Sequence, residues 1–178
     1  MTTALVLTLI GADRPGLIEA VSEAVLRHGG NWLESRLARL AGKFAGVVLV
    51  SVPQDQADAL TEALGAMSSR GLRVVVEPAQ EEPAGAPREL VLELVGHDRP
   101  GIVKEIAQLL AARGVNVEEL TTHASSAPMS GYVIFQAEAR LVVPESLDVD
   151  QLKADIEAVA NDLMVDVELA APEAKSRG

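Results

Sequence analysis

GADRPG at residues 11–16 returns as GHDRPG at residues 96–101, with five of six letters unchanged. Sliding the chain by 85 residues lays residues 5–34 on 90–119 with 12 of 30 positions identical, and many of the rest exchange one apolar residue for another. Self-similarity at this length marks a duplicated structural unit. The alignment continues through Gly29 with Gly114, Asn31 with Asn116, Glu34 with Glu119 and Gly46 with Gly131. Pro53 and Pro144 stand 91 apart, six more than 85, which predicts a longer third strand or a bulge in the second copy.

Each copy changes its hydrophobic period in the same order. Residues 4–10 are an apolar run of strand length ended by Gly11, the pattern of a strand in the middle of a sheet. Leu17, Ile18, Val21, Ala24, Val25 and Leu26 then recur at helical spacing up to Gly29-Gly30, and Ile102, Val103, Ile106, Leu109 and Leu110 repeat the stripe up to Gly114. Residues 31–40 and 43–52 flank Ala41-Gly42 as a hairpin, 54–70 has helical spacing, and 72–77 closes as a strand. The second copy offers strands at 116–125 and 132–143, a helix over 149–160 and a strand at 164–169. The fold class is therefore α+β: two ferredoxin-like βαββαβ units, each an antiparallel sheet with helices on one face. The expected boundaries are 1–78 for the first unit, a Pro-, Ala- and Glu-rich linker at 79–88, 89–171 for the second unit, and a loose tail at 172–178.

Within the repeated hexapeptide, Asp13 and Asp98 suit helix N-caps, with Pro15 and Pro100 in the first helical turn. Gly16 and Gly101, lacking Cβ, let a backbone or a ligand approach closely. Helix initiation accounts for every letter except Arg14 and Arg99, which could simply lie solvated. A second reading adds that a helix N-terminus offers free N–H groups and a positive dipole end to a carboxylate or phosphate. Asn31 and Asn116 each follow their Asp by 18 residues. Each should lie at the opposite end of its unit from that Asp, so the two could share a ligand only across an interface between units. As an alternative, each Asn is a turn residue after a helix-ending Gly.

Composition removes several function classes. With 15 Lys and Arg against 26 Asp and Glu the net charge is −11, which repels phosphate backbones and argues against direct nucleic-acid binding. The chain has no Cys, so thiolate chemistry is excluded. His28, His97 and His123 lack metal-ligand spacing, and no metal or other cofactor is expected. No run of 18 apolar residues suggests a membrane span, and residues 1–16 read as a strand rather than a leader, so the expected location is cytoplasmic. No G-x-S-x-G, G-x-G-x-x-G or phosphate-loop pattern is present. An enzyme is not expected; its one nameable version is acid–base chemistry by Asp98 and His97. Trp32 is read as core or sheet-face packing.

The order strand, D-R-P-G, helix, G-x-N, strand resembles the ACT domain, a module of amino-acid-responsive enzymes and regulators, and the tandem pair covers nearly the whole chain. GADRPGLIEAVSEAV, GGNWLESRLARLAGKFAGVVLVS and APMSG (127–131) are similar to the two-ACT proteins of the glycine cleavage repressor group. The resemblance implies a sensor of a small amino acid such as glycine, without a catalytic domain, acting on a DNA-binding regulator of the LysR type, and the chain is expected to form a homodimer. By position it nominates Gly11, Ala12, Asp13, Gly16 and Asn31 in the first unit, with Gly96, His97, Asp98, Gly101 and Asn116 in the second. Where several amino-acid-binding relatives have an amide, Asp13 and Asp98 carry carboxylates, which could accept from a ligand ammonium group but not donate to its carboxylate. Ala12 against His97 makes the two sites non-equivalent. A ligand-free dimerisation or scaffold module remains the alternative.

Overall fold

The computed structural model describes residues 1–80, 88–126 and 131–172. The core of the expected linker (81–87), four residues of the APMSG stretch (127–130) and most of the expected tail (173–178) lie outside the described residues. The chain divides into two compact units, Met1–Pro83 and Ala84–Gly178.

The first unit runs β1 (Thr2–Ala12), α1 (Leu17–Arg27), β2 (Asn31–Leu40), β3 (Lys43–Pro53), α2 (Ala57–Gly65) and β4 (Leu72–Pro78). The second repeats it as β5 (Arg88–His97), α3 (Ile102–Ala112), β6 (Asn116–Ser126), β7 (Val133–Val143), α4 (Val149–Leu163) and β8 (Val165–Ala170). The sheets are ordered β2-β3-β1-β4 and β6-β7-β5-β8, with every neighbour antiparallel. The α+β class and the βαββαβ order are as the sequence implies.

One face of each sheet carries the core. Successive strand residues point to opposite faces, so Leu5, Leu7 and Leu9 of β1 are buried while Thr8 and Ile10 are exposed. The buried set meets Val48, Val50 and Val52 of β3, Val21 and Val25 of α1, and Leu60 and Leu64 of α2. In the second unit Leu90, Leu92 and Leu94 meet Leu141, Ile106, Leu152 and Ile156 in the same way. Trp32 is half-buried against the first core, as expected. No polar or charged residue is buried among those described, so each core is held by apolar burial, at about 1.5–3 kcal/mol per large side chain.

Four details differ from the sequence reading. The expected helix over 54–70 is α2 flanked by 3₁₀ turns at Gln54–Gln56 and Ala66–Arg70. Helix α4 continues to Leu163, three residues past the expected end, because Ala160 and Leu163 still face the core. The six extra residues of the second copy fall at the β6–β7 hairpin: one further strand pair, Ser126 with Val133, and a connection of six residues where Ala41-Gly42 joins β2 to β3. Strands β3 and β7 are both 11 residues long, and matching bulges fall after Trp32 and Val117. As a result Gly131 is not the counterpart of Gly46. Gly46 faces Leu9 and Ala137 faces the equivalent Leu94, so Ala137 takes that place.

Candidate functional site

The repeated hexapeptide is a loop that ties three elements together at one end of each unit. The main-chain N–H of Asp13 donates to Gly42 O at 2.9 Å, and that of Asp98 to Val133 O at 2.8 Å, so the loop is fastened to the β2–β3 or β6–β7 hairpin. Arg14 donates to the carbonyl of Arg70, which ends the 3₁₀ turn before β4. Arg99 donates to the carbonyl of Asp162 in the last turn of α4 at 2.8 Å. The guanidinium thus satisfies an orphan carbonyl at the negative end of the second helical segment in both units. This role has no side-chain partner and so leaves no trace in the sequence beyond the repetition of Arg itself. Arg99→Ala is expected to lower the stability of the second unit by about 1 kcal/mol, read as a shift of the urea midpoint, whereas Arg88→Ala, whose own bond to Leu147 O is 3.4 Å long, should shift it less.

The capping assignment from sequence is corrected. Asp13 and Asp98 do not cap; α1 and α3 begin at Leu17 and Ile102, and their N-caps are Gly16 and Gly101 with no side-chain acceptor. Both glycines are left-handed (φ 88° and 102°), a conformation costly for residues with a Cβ. Helix α4 shows the contrast, because Asp148 Oδ1 accepts from Asp150 and Gln151 N–H at 3.0 and 3.2 Å. Pro15 and Pro100 lie in the turn before the helix, not in its first turn. The chain must reverse from the end of β1 or β5 onto the helix face within four residues, and the left-handed Gly makes that turn, leaving the Asp too far upstream to cap.

A β1 or β5 glycine precedes each loop for another reason. A Cβ on Gly11 would lie 2.8 Å from Gly71 O, and one on Gly96 would lie 2.9 Å from Val165 Cα. These positions admit the start of β4 and β8.

The two loops differ chemically. Asp13 Oδ2 is paired with Arg39 Nε at 2.9 Å. Arg39 occupies the β2 position opposite Phe44, and the corresponding residue opposite Phe135 is Ala124. Among the described residues Asp98 has no such ion pair. Ala12 is replaced by His97, whose ring meets Tyr132 edge-on at 5.0 Å. Glu19 in the first turn of α1 becomes Lys104 in α3. Beside the first loop lie a hollow of about 400 Å³ bounded by Arg14, Gly16, Glu23, Met67 and Arg70, and another of about 320 Å³ bounded by Asp13, Gly16, Ile18 and Phe44. With no side chain capping either helix, the first-turn N–H groups at both loops are free to donate to carboxylate or phosphate oxygens.

Asn31 and Asn116 stand elsewhere. Asn31 opens β2 opposite Ser51, which pairs with Ala4; Asn116 opens β6 opposite Val142, which pairs with Glu89. Each is therefore eight strand residues, about 27 Å, from the loop of its own unit. Gly11, Ala12, Asp13 and Gly16 come together at one end, as do Gly96, His97, Asp98 and Gly101, and neither group includes its Asn. Among the described residues no three His, Asp or Glu side chains gather as metal ligands, and no helix is long and apolar enough to cross a membrane.

Known proteins share this arrangement. Residues 3–77 and 90–161 each match the ACT domain. The chain is 29% identical over 168 residues to phosphoserine phosphatase SerB2 of Mycobacterium tuberculosis, a match covering 90% of this chain but only 39% of the phosphatase. It is 24% identical over 161 residues to the glycine cleavage system transcriptional repressor of Escherichia coli, covering 89% of this chain and 85% of the repressor. A solved protein of unknown function from Galdieria sulphuraria superposes with a TM-score of 0.87 at 29% identity, over 97% of this chain and 99% of that one. Another, assigned provisionally as a glycine cleavage system transcriptional repressor, has a TM-score of 0.71 at 22% identity over 95% and 96%, and shares the fold. With both units matched, this chain belongs to the ACT-domain family and carries two ACT domains in tandem.

Proposed function

We propose that the protein is an amino-acid-sensing regulator that works in the cytoplasm as a homodimer, without catalysis of its own. The observation that carries this reading is the pair of arginine-clasped loops, each presenting a helix N-terminus that no side chain caps. The free N–H groups would hold a ligand carboxylate, and an Asp carboxylate would accept from its ammonium group. The second loop is the better suited. Among the described residues no cation engages Asp98 as Arg39 engages Asp13, and Lys104 stands where the first unit has Glu19. The net charge of −11 supports action through a protein, with a LysR-type activator as the proposed partner and glycine as the first ligand to try.

Calorimetric titration with glycine and the other nineteen amino acids tests this. Binding at millimolar concentration or tighter is expected, with Asp98→Ala weakening it more than Asp13→Ala. Asn31→Ala and Asn116→Ala should also weaken it, and because each Asn is about 27 Å from its own loop, that loss would place the Asn of a neighbouring ACT module at the ligand. If no amino acid binds, the chain is a ligand-free scaffold. Retention of the protein on an immobilised LysR-type activator tests the partner.

A further inference from the structure

The duplicated sheets share strand order and register, and their open faces differ in chemistry. On the face of the first sheet away from its helices, strand register sets three rows across β2-β3-β1-β4: Glu34-Leu49-Val6-Glu77, then Arg36-Val47-Thr8-Val75, then Ala38-Ala45-Ile10-Arg73. The centre is apolar, and Ile10, Val47 and Val75 are 40%, 44% and 49% exposed. The equivalent middle row of the second sheet is Thr121-Glu138-Glu93-Glu168, three carboxylates directly abreast. Like charges so placed repel and hold that face in water.

We infer that the open sheet face of the first ACT domain is the surface on which two copies of this chain associate, face to face about a two-fold axis. Charge is the first argument. Residues 1–80 carry seven basic and eight acidic side chains, net −1, while residues 88–172 carry six and fifteen, net −9. Two copies can therefore approach through their first domains without the repulsion that the second domains would impose.

The pattern on β4 is the second argument. Arg73, Val75 and Glu77 share the open face. A two-fold axis parallel to the sheet and just above its open face, crossing the strands at the middle row, lays Arg73 on the partner's Glu77 and Glu77 on the partner's Arg73. The same axis sets Val6 on the partner's Ile10, and Val47 and Val75 on their own copies. Arg36, at the rim, is held by Glu34 of its own strand at 3.6 Å. The three rows with their side-chain margins span roughly 20 by 20 Å of plane, about half the ~800 Å² per partner of a standard interface before side-chain relief is counted, which makes this a small interface. Thr8 at the centre and Arg36 at the rim fall on their own copies as Val47 and Val75 do, and the surface is self-complementary and isologous.

This inference rests on the homodimer of the proposed reading, and sedimentation of the full chain separates the two. At about 20 μM the wild type is expected at twice 18.7 kDa. Val47→Glu with Val75→Glu copies the residues that the second sheet carries at the same positions, Glu138 and Glu168, so the fold accepts them; it is expected to sediment at 18.7 kDa with an unchanged far-UV spectrum. Arg73→Glu alone should raise the dimer dissociation constant at least tenfold, and adding Glu77→Arg should restore it. A monomeric wild type overturns both the homodimer and this surface. A wild-type dimer that survives Val47→Glu with Val75→Glu, or a charge swap that fails to restore association, overturns this surface while leaving the homodimer standing.

Discussion

Leu60→Ala is expected to destabilise the first domain by about 3 kcal/mol. Leu60 of α2 is fully buried against Leu7 and Val50, and truncating such a side chain removes its transfer energy and leaves a cavity that the sheet cannot collapse to fill, a loss of about 2–5 kcal/mol. Trp32, the sole Trp, packs on the same core, so its fluorescence reports unfolding of this domain in urea. Leu33→Ala is the control. Leu33 is 50% exposed, and its truncation should change stability by no more than about 0.5 kcal/mol. Equal losses for the two would mean that the assigned core is wrong.

Gly96→Ala is expected to lower the stability of the second domain by about 2 kcal/mol. The added methyl would collide with Val165 Cγ1 and sit 2.9 Å from Val165 Cα, so β8 itself must retreat, and overpacking of this sort costs about 1–3 kcal/mol. Gly11→Ala should lose less. Its nearest neighbours are Gly71 O at 2.8 Å and the movable Leu72 Cδ1 at 3.2 Å. Far-UV melts of the two variants check the order. If Gly96→Ala melts like wild type, the close approach of β8 is not a constraint, and any effect of that substitution on ligand affinity would then be local to the loop.

Gly11 and Gly96 stand at positions that the family resemblance implies as ligand contacts, and the structure gives each a packing reason to be glycine. Asp13, Asp98 and the two arginines show the reverse situation. Their repetition was plain in the chain, and their partners were not, because Gly42 O, Val133 O, Arg70 O and Asp162 O are main-chain carbonyls that any residue could supply. An N-cap role for Asp13 requires Pro15 to be helical, and it lies in the turn before α1. Only the left-handed turn at Gly16 moves the helix start two residues downstream. The separation of Asn31 from its loop was legible, since a β-strand, a helix and a turn carry the chain to the far end of the sheet.

The duplication, the βαββαβ order and the apolar core are all legible along the chain, because period-2 and period-3.6 burial patterns are local and appear twice. Register between distant strands sets which side of β1 faces water, where the extra residues of the second copy go, and that Asp13 meets Arg39 where the second unit has Ala124 at the equivalent place. A shift of one residue would send every side chain to the other face, and only the paired sheet sets it. The contrast between an apolar open face on the first sheet and a row of three glutamates on the second has the same origin: Val47, Thr8 and Val75 lie 39 and 67 residues apart along the chain and become neighbours when hydrogen bonds fix their rows.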